Sequence, residues 1–345
     1  MKRGLVVLKP EEVGAEEFSL RVVRLQSALR NSGVECALIY GDVYHSGDIT
    51  YLSNLCIYWN EGLLAVPAQG PVTFFTKLSP RVHPWMRRTS VVEDLRSGPN
   101  LAELVRTYLA DRPAGAVGLV EASWWPKLLA DELRAKLRDR PLKDLGPVVR
   151  RFREQPSGAE LALLARGAEI SGEAVALGLD PALTNPERAG RAEMRARMAG
   201  VEDVYVFARP LEELGDTLEV ITEYRGYWTA AGRTIWRKPP EWAGLLEAAY
   251  REAEARLRAG SSLPGLQQAA GSLPGLTIDL LHHTEVETGG DFRLPEEANR
   301  PLAAGAVVTM VVRRRLEGQG EAVLADTYAI EEGGARRLTA TLPPV

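Results

Sequence analysis

Residues 215–234 read GDTLEVITEYRGYWTAAGRT. Within this stretch Thr217 to Tyr224 is rich in β-branched and aromatic residues and predicts a strand. Similar runs near 203–209, 306–313 and 322–330 predict further strands, with helical patterns at 187–199 and 241–259 between them. Strands and helices in this order predict an α+β domain, with antiparallel strands and the helices laid on one side. Upstream, a long helix is expected over Gly158 to Leu177, with small residues along one face. The charged stretch RRFREQPSGAE, residues 150–160, leads into it and marks a domain boundary.

Before that boundary the pattern changes. Phe18 to Asn31 places apolar residues at helical spacing, and Gly33 follows as a stop signal. Val34 to Tyr40 reads as a buried strand. Leu63 to Pro67 and Val72 to Phe75 form a hairpin pattern around Ala68-Gln69-Gly70-Pro71. Leu101 to Leu109 is helical, Ala116 to Val120 a strand and Pro126 to Leu137 a helix. This alternation predicts an α/β domain over residues 1–150, followed by the α+β domain over 151–345. The pentapeptide SLPGL occurs at 262–266 and 272–276, which reads as two boundary turns rather than a repeat architecture.

A chain of 345 residues suits two domains. A net charge of −4 offers no electrostatic reason to expect nucleic acid or an anionic membrane. No apolar run approaches the ~20 residues needed to span a bilayer, and the N-terminus lacks a secretory signal pattern, so a cytoplasmic location is expected. Cys36 and Cys56 sit in apolar surroundings and read as buried thiols.

The ordered motifs resemble the creatinase, prolidase and aminopeptidase P superfamily. In the first domain Arg24 to Leu29 with Ser32 to Ile39, and Asp48 to Asn54, resemble the opening segments of a creatinase-type N-terminal domain. In the second, Leu214 to Thr234, Leu302 to Val311, and Ala322 to Thr339 resemble three motifs of the catalytic domain. The resemblance implies a pita-bread (creatinase/aminopeptidase) fold for the second domain. It also implies a homodimer paired through the N-terminal domains, with Tyr51, Tyr58 and Trp59 as a supporting aromatic cluster.

Members that cleave peptides hold two divalent metals ~3.5–4 Å apart, on two Asp, one His and two Glu. Here the brackets Gly226-Tyr227 and Arg233-Thr234 put Ala230 at the second aspartate's place. The first falls near Glu219 to Val220, and the two glutamates align with Val311 and Ala325, the latter beside Asp326. His282 or His283 occupies the place of the metal-binding histidine, with Thr284-Glu285-Val286-Glu287 where the family has glycines. The resemblance therefore implies no metal and no other cofactor.

Candidate catalytic residues are His282 and His283, and candidate substrate-binding residues are Tyr224, Tyr227, Trp228, Arg233 and Glu285. Trp236 is a further pocket candidate. The run Arg313-Arg314-Arg315 reads as a solvated strand end. His45 reads as a surface-loop residue, and His83 lies in a turn before Pro84-Trp85.

Three functions stay open. The first is a peptidase-family homologue that has lost metal-dependent hydrolysis and keeps a scaffold role or a small-molecule or peptide ligand. The second is a metal-independent, creatinase-like hydrolase of a small amide or guanidino compound. It would use His282 or His283 beside Glu285, Glu287 or Asp291 as acid and base. The third is a metallopeptidase with atypical ligands.

Overall fold

The computed structural model describes residues 9–55, 57, 60–271, 273–284 and 300–345. Glu285, Glu287, Asp291, Cys56, Tyr58 and Trp59 lie outside them. The described chain falls into two compact units that divide between Arg153 and Glu154.

The first unit runs α1 (Ala15–Asn31), β1 (Val34–Gly41), α2 (Gly47–Ser53), β2 (Gly62–Pro67), β3 (Thr73–Thr76), α3 (His83–Thr89), β4 (Asp94–Ser97), α4 (Leu101–Ala110), β5 (Ala116–Val120), α5 (Lys127–Lys136), β6 (Leu142–Gly146) and α6 (Val148–Arg153). Its six-stranded sheet has the order β4-β3-β2-β1-β5-β6. β1 is antiparallel to β2 and parallel to β5. The run VECALIYG is apolar on both faces because helices cover both sides of its sheet. One core gathers Leu25, Leu29, Ile39 and Leu52 against α1 and α2. The other gathers Leu38, Val105, Leu109 and Leu133 against α4 and α5. α1 stops where Gly33 takes a positive φ of 62°, a conformation a side chain would disfavour. Cys36 is fully buried, and that burial pushes its thiol up to about 12, which makes it inert. His45 packs on Trp124 with ring centroids 4.8 Å apart, and its Nδ1 lies 3.1 Å from Asp42 Oδ1.

The second unit runs α7 (Gly158–Ala176), α8 (Asn185–Met198), β7 (Asp203–Leu211), β8 (Gly215–Tyr224), β9 (Tyr227–Trp236), α9 (Ala243–Arg256), α10 (Leu263–Ala269), β10 (Leu276–His282), β11 (Val307–Leu316), β12 (Gly320–Ile330) and β13 (Ala335–Arg337). All its pairings are antiparallel, in the order β10-β11-β12-β9-β8-β7, with β13 beside β12. The stretch 215–234 is a hairpin whose turn places Arg225 and Gly226 at φ 55° and 81°. No helix among the described residues is long and apolar enough to cross a membrane.

α7 starts with a capping box, in which Ser157 Oγ accepts from Glu160 N and Glu160 Oε2 accepts from Ser157 N. The other oxygen of Glu160 accepts the Tyr227 hydroxyl at 2.7 Å, which ties the helix start to β9. Gly167 lets α7 approach the sheet closely, since a Cβ there would stand 3.0 Å from Thr229 Oγ1. The small-residue face of α7 is therefore a packing device.

Candidate functional site

Side chains of residues paired in an antiparallel ladder share a face, so register assigns the two faces of this sheet. Thr229 and Thr222 pair, and both lie toward α7, where Thr222 Oγ1 reaches Gly167 O. Their alternates form the opposite face. It carries Tyr205, Phe207 and Arg209 from β7, Glu219 and Ile221 from β8, and Trp228, Ala230 and Gly232 from β9. The same face continues with Val323, Ala325 and Thr327 on β12, Val311, Arg313 and Arg315 on β11, and Asp279 and Leu281 on β10.

Ala230, Val311 and Ala325 thus stand together on one face, with Val311 directly opposite Ala325. They form an apolar floor in which Val311, Val323 and Ala325 pack with Leu281. The seam between β9 and β12 is stitched by threonine hydroxyls. Thr327 Oγ1 accepts from Ala230 N at 3.1 Å and donates to Ala230 O at 2.9 Å. On the other side Thr234 Oγ1 accepts from Val323 N at 2.8 Å and donates to Val323 O at 3.0 Å. Thr309 adds a bond of 2.8 Å to Thr327. These side chains complete backbone pairing that a continuous ladder would supply.

Along the same face lies a charged group whose pairing the sequence reading missed. Arg313 Nη2 is 2.5 Å from Glu219 Oε1, and Arg313 Nε is 3.2 Å from Glu321 Oε1. Burial alone would lower the Arg313 pKa, but Glu219, Glu321 and Asp279 reverse that and hold the guanidinium charged. Arg209 approaches Glu321 at 3.5 Å. Arg314 alternates to the other face and stacks over Trp242, 4.0 Å from its ring centroid. Only Arg315 of the three is an exposed strand-end residue among the described positions. Arg209, Glu219, Asp279, Arg313, Arg315 and Glu321 line a cavity of about 1130 Å³.

Among the described residues, none of those proposed from sequence as catalytic or substrate-binding lines that cavity. Tyr224 and Tyr227 are paired and buried on the α7 side of the sheet. Arg233 is also buried there, in contact with Asp326 at 3.0 Å. Trp228 does lie on the concave side, half-buried and stacked on Tyr205 at 5.7 Å. Trp236 instead packs edge-on against Trp242. His282 and His283 come together with ring centroids 4.4 Å apart, just past Leu281, and neither lines the cavity. His283 is buried, with Nδ1 3.0 Å from the Val307 carbonyl, and His282 Nδ1 is 3.0 Å from Thr284 Oγ1. A carbonyl only accepts, so His283 Nδ1 donates. Among the described residues no three His, Cys, Asp or Glu side chains converge as a metal site.

A buried carboxylate pair lies near the β8–β9 turn. Glu202 and Glu223 are both buried, and Arg225 N donates to Glu202 Oε2 at 2.6 Å. Burial, then the charge of Glu223, raises Glu202 from its ordinary 4.5 to about 8, against the opposing pull of Arg225. The folded state therefore holds this proton more tightly than the unfolded chain. The stability this contributes is full below the unfolded pKa and is lost as pH rises through the folded one. Glu202→Gln, which imitates the protonated form, should melt like the wild type at about pH 5 and above it at about pH 9. An unchanged difference in melting temperature across that range would refute the assignment.

A family profile described as the Creatinase/Prolidase N-terminal domain matches residues 21–155. No curated protein matches the chain. Among solved structures, the X-Pro aminopeptidase from Thermotoga maritima superposes with a TM-score of 0.74 at 17% identity, covering 94% of this chain and 98% of that one. The prolidase from Pyrococcus horikoshii gives 0.72 at 18% identity, with coverage of 94% and 98%. The Xaa-Pro dipeptidase from Bacillus anthracis gives 0.73 at 16%, with coverage of 93% and 97%. Identities this low carry the fold and not the activity. The profile match places residues 21–155 in the Creatinase/Prolidase N-terminal domain family, and the chain as a whole shares the two-domain fold of these structures.

Proposed function

We propose that this protein is a prolidase-family homologue without the dinuclear metal centre, whose concave face serves as a metal-independent ligand site. The observation that carries this reading is the floor formed by Ala230, Val311 and Ala325, positions that the sequence resemblance aligns with the superfamily's carboxylates. Methyl and isopropyl groups have no lone pair for a dication, and hard divalent metals need oxygen ligands. Glu219, near the place of the first aspartate, is held by Arg313. These residues do not fit two adjacent dications.

The test is metal analysis of purified protein beside an assay on Xaa-Pro dipeptides. Added manganese, cobalt or zinc should neither raise the melting temperature nor start hydrolysis, because stabilisation requires affinity for the folded state. Two tightly bound metals per chain, or turnover that depends on them, would overturn the reading.

The close pair His282 and His283 favours a second reading, the creatinase-like hydrolase. Donation from His283 Nδ1 to Val307 leaves Nε2 as the basic nitrogen of its neutral ring. Metal-free hydrolysis of a small amide or guanidino compound, abolished by His283→Ala, would establish it.

A homodimer is also proposed, on the architecture implied by the superfamily and the prevalence of cyclic dimers. Of the aromatic cluster first associated with it, Tyr51 is buried in its own unit beneath Arg21, so Tyr51 offers no interface surface. Light scattering should give twice the 37.8 kDa chain mass at micromolar concentration, and a monomer mass would refute it.

A further inference from the structure

We propose that the cavity around Arg313 takes a small organic carboxylate, with its anionic end on Arg315 and Arg209 and its apolar body against Phe207. The proposal rests on reading the concave face as a ligand site and adds the ligand's chemical class.

Charge placement carries the argument. Glu321 is shared by two guanidinium groups. It contacts Arg209 and Arg313 and stands directly across the ladder from Arg315. Glu219 supplies a second carboxylate, but it is already committed to Arg313. Arg315 therefore has no ion-pair partner among the described residues, although it faces a cavity with apolar walls. Asp279 does not correct the imbalance. It sits at the level of Val311, two same-face steps along the sheet from Arg315. At ~3.4 Å per residue that is roughly 13 Å, beyond the screening length at physiological salt. Glu317, in the hairpin turn, is exposed and makes no ion pair with Arg315 among the described residues.

Arg209 and Arg315 thus lie at one height of the cavity and Asp279 at another. Arg209 is additionally oriented by its own strand, over the Phe207 ring at 4.6 Å from the centroid. A planar carboxylate suits guanidinium groups, which offer donors in a fixed fork. The cavity volume of about 1130 Å³ admits an aromatic or aliphatic acid without rearrangement.

The probe is hydrocinnamate, compared by calorimetry with its neutral amide and with phenethylamine. Hydrocinnamate should bind, and the amide should bind about tenfold or more weakly, the difference a charge-assisted hydrogen bond makes. Arg315→Gln, at an exposed position that leaves the core intact, should weaken hydrocinnamate by a similar factor and remove most of the dependence on salt. Equal binding of acid and amide, preference for the amine, or indifference to Arg315→Gln would overturn the carboxylate assignment while leaving a ligand site in place. Failure of all three probes to bind at millimolar concentration would overturn both.

Discussion

Asp326→Ala should destabilise the second unit by about 3–5 kcal/mol. The carboxylate is completely buried and receives four groups. Arg233 Nη2 lies 3.0 Å from Oδ2, Arg337 Nη2 donates to Oδ1 at 2.8 Å, and the Tyr250 hydroxyl donates to Oδ2 at 2.7 Å. Thr339 donates to Oδ1 as well. Tyr250 in turn meets Tyr328 at 2.8 Å, and Tyr328 reaches Glu254 on α9. One anion therefore joins β9, β12, β13, the C-terminal segment and α9. Removing it strands two guanidinium groups, one of them buried, and the cost of an orphaned buried charge exceeds the net worth of the pair. Burial, reinforced by the charge of Asp326, raises Tyr250 well above its ordinary pKa, so the hydroxyl stays a donor across the working pH range. The melting temperature should fall by roughly 10 °C or more, given ~2–4 °C per kcal/mol for a unit of this size. A drop of only a degree or two would show that the network is not coupled as the distances imply.

Asp326 also illustrates what the amino-acid sequence can disclose. Its place beside Ala325 is visible from motif order alone, whereas its partners come from four other elements and become visible only through the fold. In the first unit, β1 was legible because VECALIYG is apolar apart from Glu35, as a strand covered on both faces requires. β6, LKDLG, was not, since its residues are half-buried or exposed and carry no period. β9 escaped notice as a separate strand for a related reason. Its Ala230, Ala231 and Gly232 are small where β9 meets β12 and α7, so neither alternation nor bulk announces a strand.

The candidate site divides in the same way. Ala230, Val311 and Ala325 could be located because fixed neighbours bracket them. Tyr224, Tyr227 and Arg233 were named for their chemistry, and strand alternation then turned them toward α7 and the Asp326 network. A one-residue change of parity decides face, and parity cannot be read from composition. The Glu219–Arg313 pair was invisible for a third reason. Its members are 94 residues apart and meet only because β8, β9, β12 and β11 lie side by side.

That pair supports the second large expectation. Arg313→Met should cost about 3–5 kcal/mol at neutral pH, because Glu219, itself buried, is left as an uncompensated charge. A double substitution separates the pair's net worth from the cost of breaking it. Glu219→Leu with Arg313→Met replaces two charges by apolar side chains next to an already apolar floor of Val311, Val323 and Ala325. Replacing a buried ion pair in this way is often neutral or stabilising. The double variant should therefore recover most of the stability lost by Arg313→Met, leaving Glu321 to Arg209, its remaining partner at 3.5 Å. Chemical denaturation of the wild type, both single variants and the double variant reads the coupling directly. If the double variant were no more stable than Arg313→Met, the stranded charge would not be the cause, and Arg313 would have to act through packing of its alkyl stem instead.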